Sequence, residues 1–179
     1  MSCDINKGIN GTDCLNAVAG FKNAFVANYD DYEFTTVSDE ISGHTISALP
    51  ATDFEVYKFP LKNTGNSYSE PSSSSRDNGT TAFNATLNLV FTKVSAKKLF
   101  QIKRLVWGRP IVFLETNGGD IIAVGLKRGV EFNSTTNIEG ALDGVNAFQL
   151  EGTTSEMEPA YFLDEAAKTE LFAAVVTGV

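Results

Sequence analysis

Between Gly79 and Val94 the chain reads GTTAFNATLNLVFTKV, with apolar residues on nearly every second position. Successive side chains of a strand point to opposite faces, so Phe83, Ala85, Leu87, Leu89 and Phe91 share one side. Thr80, Asn84, Thr86, Asn88 and Thr92 share the other. The pattern predicts one long strand with a core face and a face of short, uncharged amides and hydroxyls. An ordinary solvent face also carries Lys and Glu, which this one lacks.

Upstream, Phe21–Tyr29, Thr45–Leu49 and Phe54–Lys62 are β-branched and aromatic runs bounded by Gly, Asp and Pro, and they predict strands, with Pro60 at a strand end or sheet edge. Residues 63–78 are rich in Ser, Asn and Gly and predict a long mobile loop. Downstream, Ser95 is placed to cap a helix over AKKLFQIKRLVW, with Leu99, Ile102 and Val106 on one face and Gly108 and Pro110 stopping it. Pro110–Leu126 predicts a β-hairpin around NGGD. Val130–Ser134 and Ala147–Glu156 predict two further strands. Asp164–Val176 suits a helix with its acids at the positive end, although LFAAVV also suits a strand. The expected fold class is mainly β with one or two helices, α+β overall: a β-sandwich or distorted β-barrel with a flanking helix.

At 179 residues, 42% hydrophobic and 20% charged, the chain fits one globular domain over 1–179, with an N-terminal arm at 1–20. No apolar run approaches the ~20 residues of a membrane helix, so no membrane partner is expected. The polar start MSCDINKGINGTD lacks the basic and apolar regions of a signal peptide. The protein is therefore expected inside a cell or in a particle assembled there, with Cys3 and Cys14 reduced and the Asn-X-Thr triplets at Asn10, Asn78, Asn84 and Asn133 unglycosylated.

Charge is segregated along the chain. Residues 1–129 hold 13 acidic and 13 basic side chains, and residues 130–179 hold 9 acidic ones against Lys168 alone, so the net charge of −8 resides in the last 50 residues. Between Asn78 and Leu114 there are six cations and no acid. The blocks are either two solvated faces or surfaces that meet across copies of the protein.

Candidate chemistry is sparse. His44 is the sole histidine, which leaves no His-based metal cluster and no His-relayed nucleophile except around that residue. Asp30 with Asp31, or Asp39 with Glu40, lacks the spacing of a calcium loop. No phosphate-binding glycine turn occurs. Phe91, Phe100 and Trp107, beside the basic block, fit core packing better than a nucleic-acid stacking platform. No catalytic residue, cofactor or metal is expected.

In order and character, SSSSRDNGTTAFNATLNLVFTK feeding a basic helix, then WGRPIVFLETNGGDIIAVGLKRGVEF, then GVNAFQLEGTTSEMEPAYFLD, resembles the tail tube proteins of tailed bacteriophages, over roughly Tyr57 to Asp164. That family is related to type VI secretion needles and phage connector rings. The resemblance implies hexameric rings that stack into a conduit for DNA, located in the virion tail or neck and assembled in the bacterial cytoplasm. It implies as partners other copies of the chain, other virion proteins and DNA in transit. Thr80, Asn84, Thr86, Asn88 and Thr92 would then face the lumen. Ser72, Ser73, Ser74, Ser75, Arg76, Lys97, Lys98, Glu156 and Glu158 would lie between subunits, and the long strand would pair laterally with a neighbour. The alternatives are a head-tail connector or head-surface protein, a carbohydrate-binding β-sandwich, and a small hydrolase built on His44.

Overall fold

The computed structural model describes residues 18–30, 32–39, 42–50, 54–61 and 65–176. Its elements run β1 (Phe21–Ala27), β2 (Thr35–Asp39), β3 (Gly43–Ala48), β4 (Val56–Pro60), β5 (Ser67–Ser69), β6 (Ser72–Ser75), β7 (Thr80–Thr92), α1 (Ala96–Trp107), β8 (Ile111–Thr116), β9 (Ile121–Val124), β10 (Glu131–Ile138), β11 (Asn146–Glu156), β12 (Tyr161–Leu163), α2 (Glu165–Ala173) and β13 (Val175–Val176). The fold is mainly β with two helices. An eight-stranded sheet in the order β13-β4-β1-β8-β9-β12-β3-β2 curls into a half-barrel, and β10-β11-β7-β5 form a second sheet with β6 also on β7.

β1 and β8 explain how the layers stack. Phe25 and Ala27 with Ile111 and Phe113 enter one apolar cluster, which Ala167 and Leu171 of α2 plug. The alternate residues Ala24, Val112 and Leu114 enter a second cluster against Leu87, Leu89, Phe148 and Leu150 of the smaller sheet. A sheet covered on both faces needs apolar residues at consecutive positions, and VFL at the centre of β8 supplies them. The one polar pair in that wall is matched across the strands. Asn23 and Glu115 are register partners, Asn23 Nδ2 donates to Glu115 Oε2 at 2.5 Å, and Lys22 Nζ lies 3.3 Å from the other carboxylate oxygen. The buried carboxylate thereby keeps its hydrogen bonds.

The β8–β9 hairpin turns through Asn117–Asp120, with Gly119 at a φ of 94° and Thr116 N–H donating to Asp120 O at 2.8 Å. The C-terminal segment is helical through Ala173, capped by the Asp164 side chain on Ala167 N–H, and then adds Val175 and Val176 as a parallel edge strand on β4.

Three expectations need correction. First, of the loop expected over 63–78, residues 63 and 64 lie outside the described residues, while Ser67–Ser69 and Ser72–Ser75 are strands: β5 and β6 hydrogen-bond to β7, and Asn66 Oδ1 accepts from Val90 N–H at 2.8 Å. Second, β7 is an inner strand, flanked by β11 on one edge and by β5 and β6 on the other, so it has little edge left to pair with a neighbour. Third, α1 does not hold Phe100 and Trp107 in the core: it buries Ile102 and half-buries Leu105, whereas Leu99, Phe100, Val106 and Trp107 are exposed. Strands β2 and β12 were outside the expected set; β12 joins by pairing parallel to β3 and antiparallel to β9.

Candidate functional site

The neutral positions of β7 fall on one surface, the outer face of the five-stranded sheet. Ala85, Leu87 and Leu89 are buried beneath it, while Thr80, Asn88 and Thr92 are exposed and Asn84 and Thr86 half-exposed. Register carries this chemistry sideways. Asn84, Thr86 and Asn88 sit opposite Ser155, Thr153 and Glu151 of β11, which in turn sit opposite Glu131 and Asn133 of β10. On the other flank Ser67, Ser69, Ser73 and Ser75 continue the row. The strand positions of this face include two carboxylates, Glu131 and Glu151, and no lysine or arginine. The amides are held in place: Ser155 Oγ donates to Asn84 Oδ1 at 2.6 Å, and Asn88 Nδ2 donates to Ser67 Oγ at 3.1 Å. With 13 residues, β7 is roughly 44 Å long at about 3.4 Å per residue.

The residues expected between subunits divide. Ser72–Ser75 form β6, Thr81 Oγ1 donates to Ser74 Oγ at 3.2 Å, and Arg76 opens the turn into β7 by accepting from Gly79 N–H. Lys97 is exposed, whereas Lys98 Nζ donates to Thr92 O at 2.6 Å. Glu156 Oε1 accepts from the backbone N–H groups of Lys127 and Arg128 at 2.9 and 3.2 Å. Glu158 accepts from the Tyr161 hydroxyl. Both acids therefore hold the chain's own turns and cannot be reversed without disturbing them. Nine residue steps along β7 separate Phe83, opposite Glu156, from Thr92, bonded to Lys98, so these acids and lysines stand about 30 Å apart at opposite ends of the sheet.

Phe91 is half-buried in the core, as expected, but Phe100 is 51% and Trp107 76% exposed, so neither is a core residue. Each carries a cation: Lys103 Nζ lies 4.1 Å from the Trp107 ring centroid, and the Arg104 guanidinium 4.7 Å from that of Phe100. Beside this helix opens a cleft of about 670 Å³, walled by Tyr29, Tyr57, Phe59 and Leu105 and carrying Arg104 and Arg109; Glu55 Oε2 accepts from the Tyr57 hydroxyl at 3.0 Å, and the Lys58 ammonium lies on the other face of β4, 5.8 Å from the Phe25 ring centroid. Its aromatic walls come from β4 and the end of β1 and its two arginines from α1 and the loop after it, so no local motif announces it.

His44 bridges a hairpin. Its Nδ1 is 2.5 Å from Ser38 Oγ on the paired strand and its Nε2 3.0 Å from Pro159 O, which fits an Nε2–H tautomer accepting the Ser38 proton. The ring stacks on Tyr161 at 3.6 Å. Burial first, then the Glu158 hydrogen bond, raises the Tyr161 pKa above its ordinary value and keeps that hydroxyl a donor. Ser38 meets the imidazole as a nucleophile would, but the second ring nitrogen faces a neutral carbonyl, which stabilises an imidazolium less than a carboxylate does.

Among the described residues no group of three His, Cys, Asp or Glu is placed to hold a metal ion. Asp31, Glu40, Cys3, Cys14 and residues 1–17 of the expected arm lie outside the described residues. Ala19 and Gly20 are tied to the β8–β9 turn by hydrogen bonds from Asn117, each 2.9 Å. No helix among the described residues is long and apolar enough to cross a membrane. Compared with family models, curated proteins and solved structures, the chain matches none.

Proposed function

We propose that this chain is a structural virion protein whose copies join into rings, sixfold and stacked, forming a tail tube through which DNA passes. The observation that carries the reading is the outer face of the five-stranded sheet, a surface chiefly of Ser, Thr, Asn and Gln, broken by Ala82, Val90 and Ala147, whose strand positions hold two carboxylates and no cation. Protein affinity for duplex DNA comes largely from lysine and arginine neutralising phosphates. A lining without them releases no counterions, and Glu131 and Glu151 repel the backbone. DNA slides past such a wall. The same face explains why β7 is long and why its wet side differs from ordinary surface.

Supporting features lie at the ends and flank of the sheet. The lysines at the start of α1 lie at one end of the sheet and the carboxylates Glu156 and Glu158 at the other, a separation along the strand direction that suits head-to-tail contact between identical subunits. At micromolar concentration the purified protein should sediment as an oligomer, and negative-stain electron microscopy should show annular particles and stacks. A monomer throughout that range would sink the proposal, and single rings that never stack would indicate a neck connector. Stacking through exposed charges should also weaken with salt, since the screening length falls from about 8 Å at physiological ionic strength to about 3 Å at 1 M. The expected sign is shorter stacks of folded subunits, read by sedimentation and circular dichroism.

A second reading is favoured by one observation, the aromatic walls of the cleft. A carbohydrate-binding sandwich would use Tyr29, Tyr57 and Phe59 as sugar platforms and would work as a monomer or trimer. Glycan-array binding abolished by Tyr57→Ala, in a protein that forms no rings, would establish it.

A further inference from the structure

Beyond the sheet face, two unassigned surfaces complement one another. The β10–β11 hairpin ends in Ile138–Val145, sequence IEGALDGV, which carries Glu139 and Asp143 and no cation. Leu142 at its tip is fully exposed, and Ile138 and Val145 are 66% and 42% exposed. The tip is shaped by its own hydrogen bonds: Glu139 N–H donates to Val145 O at 2.8 Å, Val145 N–H to Glu139 Oε2 at 3.0 Å, and Gly144 N–H to Ala141 O at 3.1 Å. It is therefore a preformed knob, acidic and apolar, with little ordering left to lose on binding. The cleft beside α1 is its counterpart, concave, walled by Tyr57, Phe59 and Leu105, and carrying Arg104 and Arg109.

The fold keeps the two apart. Lys93 N–H donates to Asn146 O, which places the knob near the start of α1, whereas Arg104, Gly108 and Arg109 place the cleft at its end, where Pro110 O accepts from Val130 N–H. The 12 residues of α1 span about 18 Å between them. One chain cannot seat its own knob, but a second copy displaced along the same axis can.

We propose that the Ile138–Val145 knob of one copy docks in the α1 cleft of the next, with Leu142 entering between the aromatic walls and Glu139 and Asp143 facing Arg104 and Arg109. This rests on the reading that the chain self-assembles, and it names the contact. The contact is heterologous, using different surfaces on the two copies, and so propagates into a ring or a filament instead of stopping at a dimer.

The test uses the full chain with two variants, Leu142→Asp for the knob and the double change Arg104→Glu with Arg109→Glu for the cleft. All substituted side chains are at the surface, and circular dichroism confirms folding; Asp143→Lys serves as a second knob variant. Removing a buried leucine anchor should weaken association about tenfold to a hundredfold. By sedimentation velocity each variant alone should be monomeric where the unaltered protein assembles. Mixing the knob variant with the cleft variant should then restore one junction and give a 1:1 dimer and nothing larger.

An unaltered protein that is itself monomeric would overturn the assembly reading and this contact with it. Variants that assemble like the unaltered protein, or a mixture that stays monomeric, would overturn the contact alone. If the cleft variant instead lost binding to a duplex oligonucleotide while assembling normally, the cleft would be a nucleic-acid site and the proposal wrong.

Discussion

Phe113→Ala should destabilise the protein by about 3–5 kcal/mol, the range for deleting a fully buried phenylalanine. Phe113 has no exposed surface and sits mid-strand in β8, paired on one side with Phe25 of β1 and on the other with Ala123 of β9. Its ring meets Phe54 edge-on at 6.1 Å and Phe34 at 6.4 Å, and those two rings meet each other and Tyr32. Truncation would leave a cavity in the concave face of the larger sheet, with strands on both sides restraining collapse. A domain of this size has a total stability of about 5–15 kcal/mol, so the loss is a large fraction of it. Urea denaturation should show a lower midpoint with an unchanged slope. A loss under about 1 kcal/mol would mean that the half-barrel repacks freely.

Gly129→Ala should cost about 2–5 kcal/mol, from two separate causes. The residue has a φ of 71°, in the left-handed region that penalises an L side chain by roughly 1–2 kcal/mol. A Cβ there would also stand 2.4 Å from Arg109 O and 2.9 Å from Arg109 Cβ. The carbonyl belongs to backbone and cannot rotate away, so the remainder is the overpacking cost of about 1–3 kcal/mol. Arg109 is a cleft residue, so displacing it should weaken self-association as well as the fold. A variant with unchanged thermal midpoint would contradict the close approach of these two loops.

What the sequence made legible follows from where its signals come from. β7 was readable because one face is core and the other wet, so alternation marks both its existence and its sides. α1 was readable from Ser95, whose side chain does accept from Lys98 N–H at 3.4 Å. Its buried side was not, since Leu99, Val106 and Trp107 look like core residues by type, and apolar spacing cannot distinguish a chain's own core from a surface left for another molecule. β5 and β6 were hidden for the opposite reason. Ser67–Ser69 and Ser72–Ser75 have no apolar alternation, and they are strands because β7 offers unpaired backbone groups along its edge.

The candidate site divides along the same line. The Thr and Asn row came from local alternation, but its extension through Gln149, Glu151 and Thr153 requires the β7–β11 register, which joins residues some 60 positions apart. The cleft needed Tyr57 and Phe59 beside Arg104 and Arg109, a proximity only the folded chain sets. Glu156 and Glu158 were chosen as partner acids for their charge, and the hydrogen bonds that already occupy them are visible only in three dimensions.

The most direct test of the assembly reading is a cryo-electron microscopy map of the purified protein in its assembled state, at a resolution that separates strands. The account predicts rings whose lumen is lined by the outer face of the five-stranded sheet, with Asn84, Thr86 and Asn88 pointing at the channel and α1 outside it. Rings with α1 and its cations lining the channel, or with the neutral face turned outward to solvent, would contradict it.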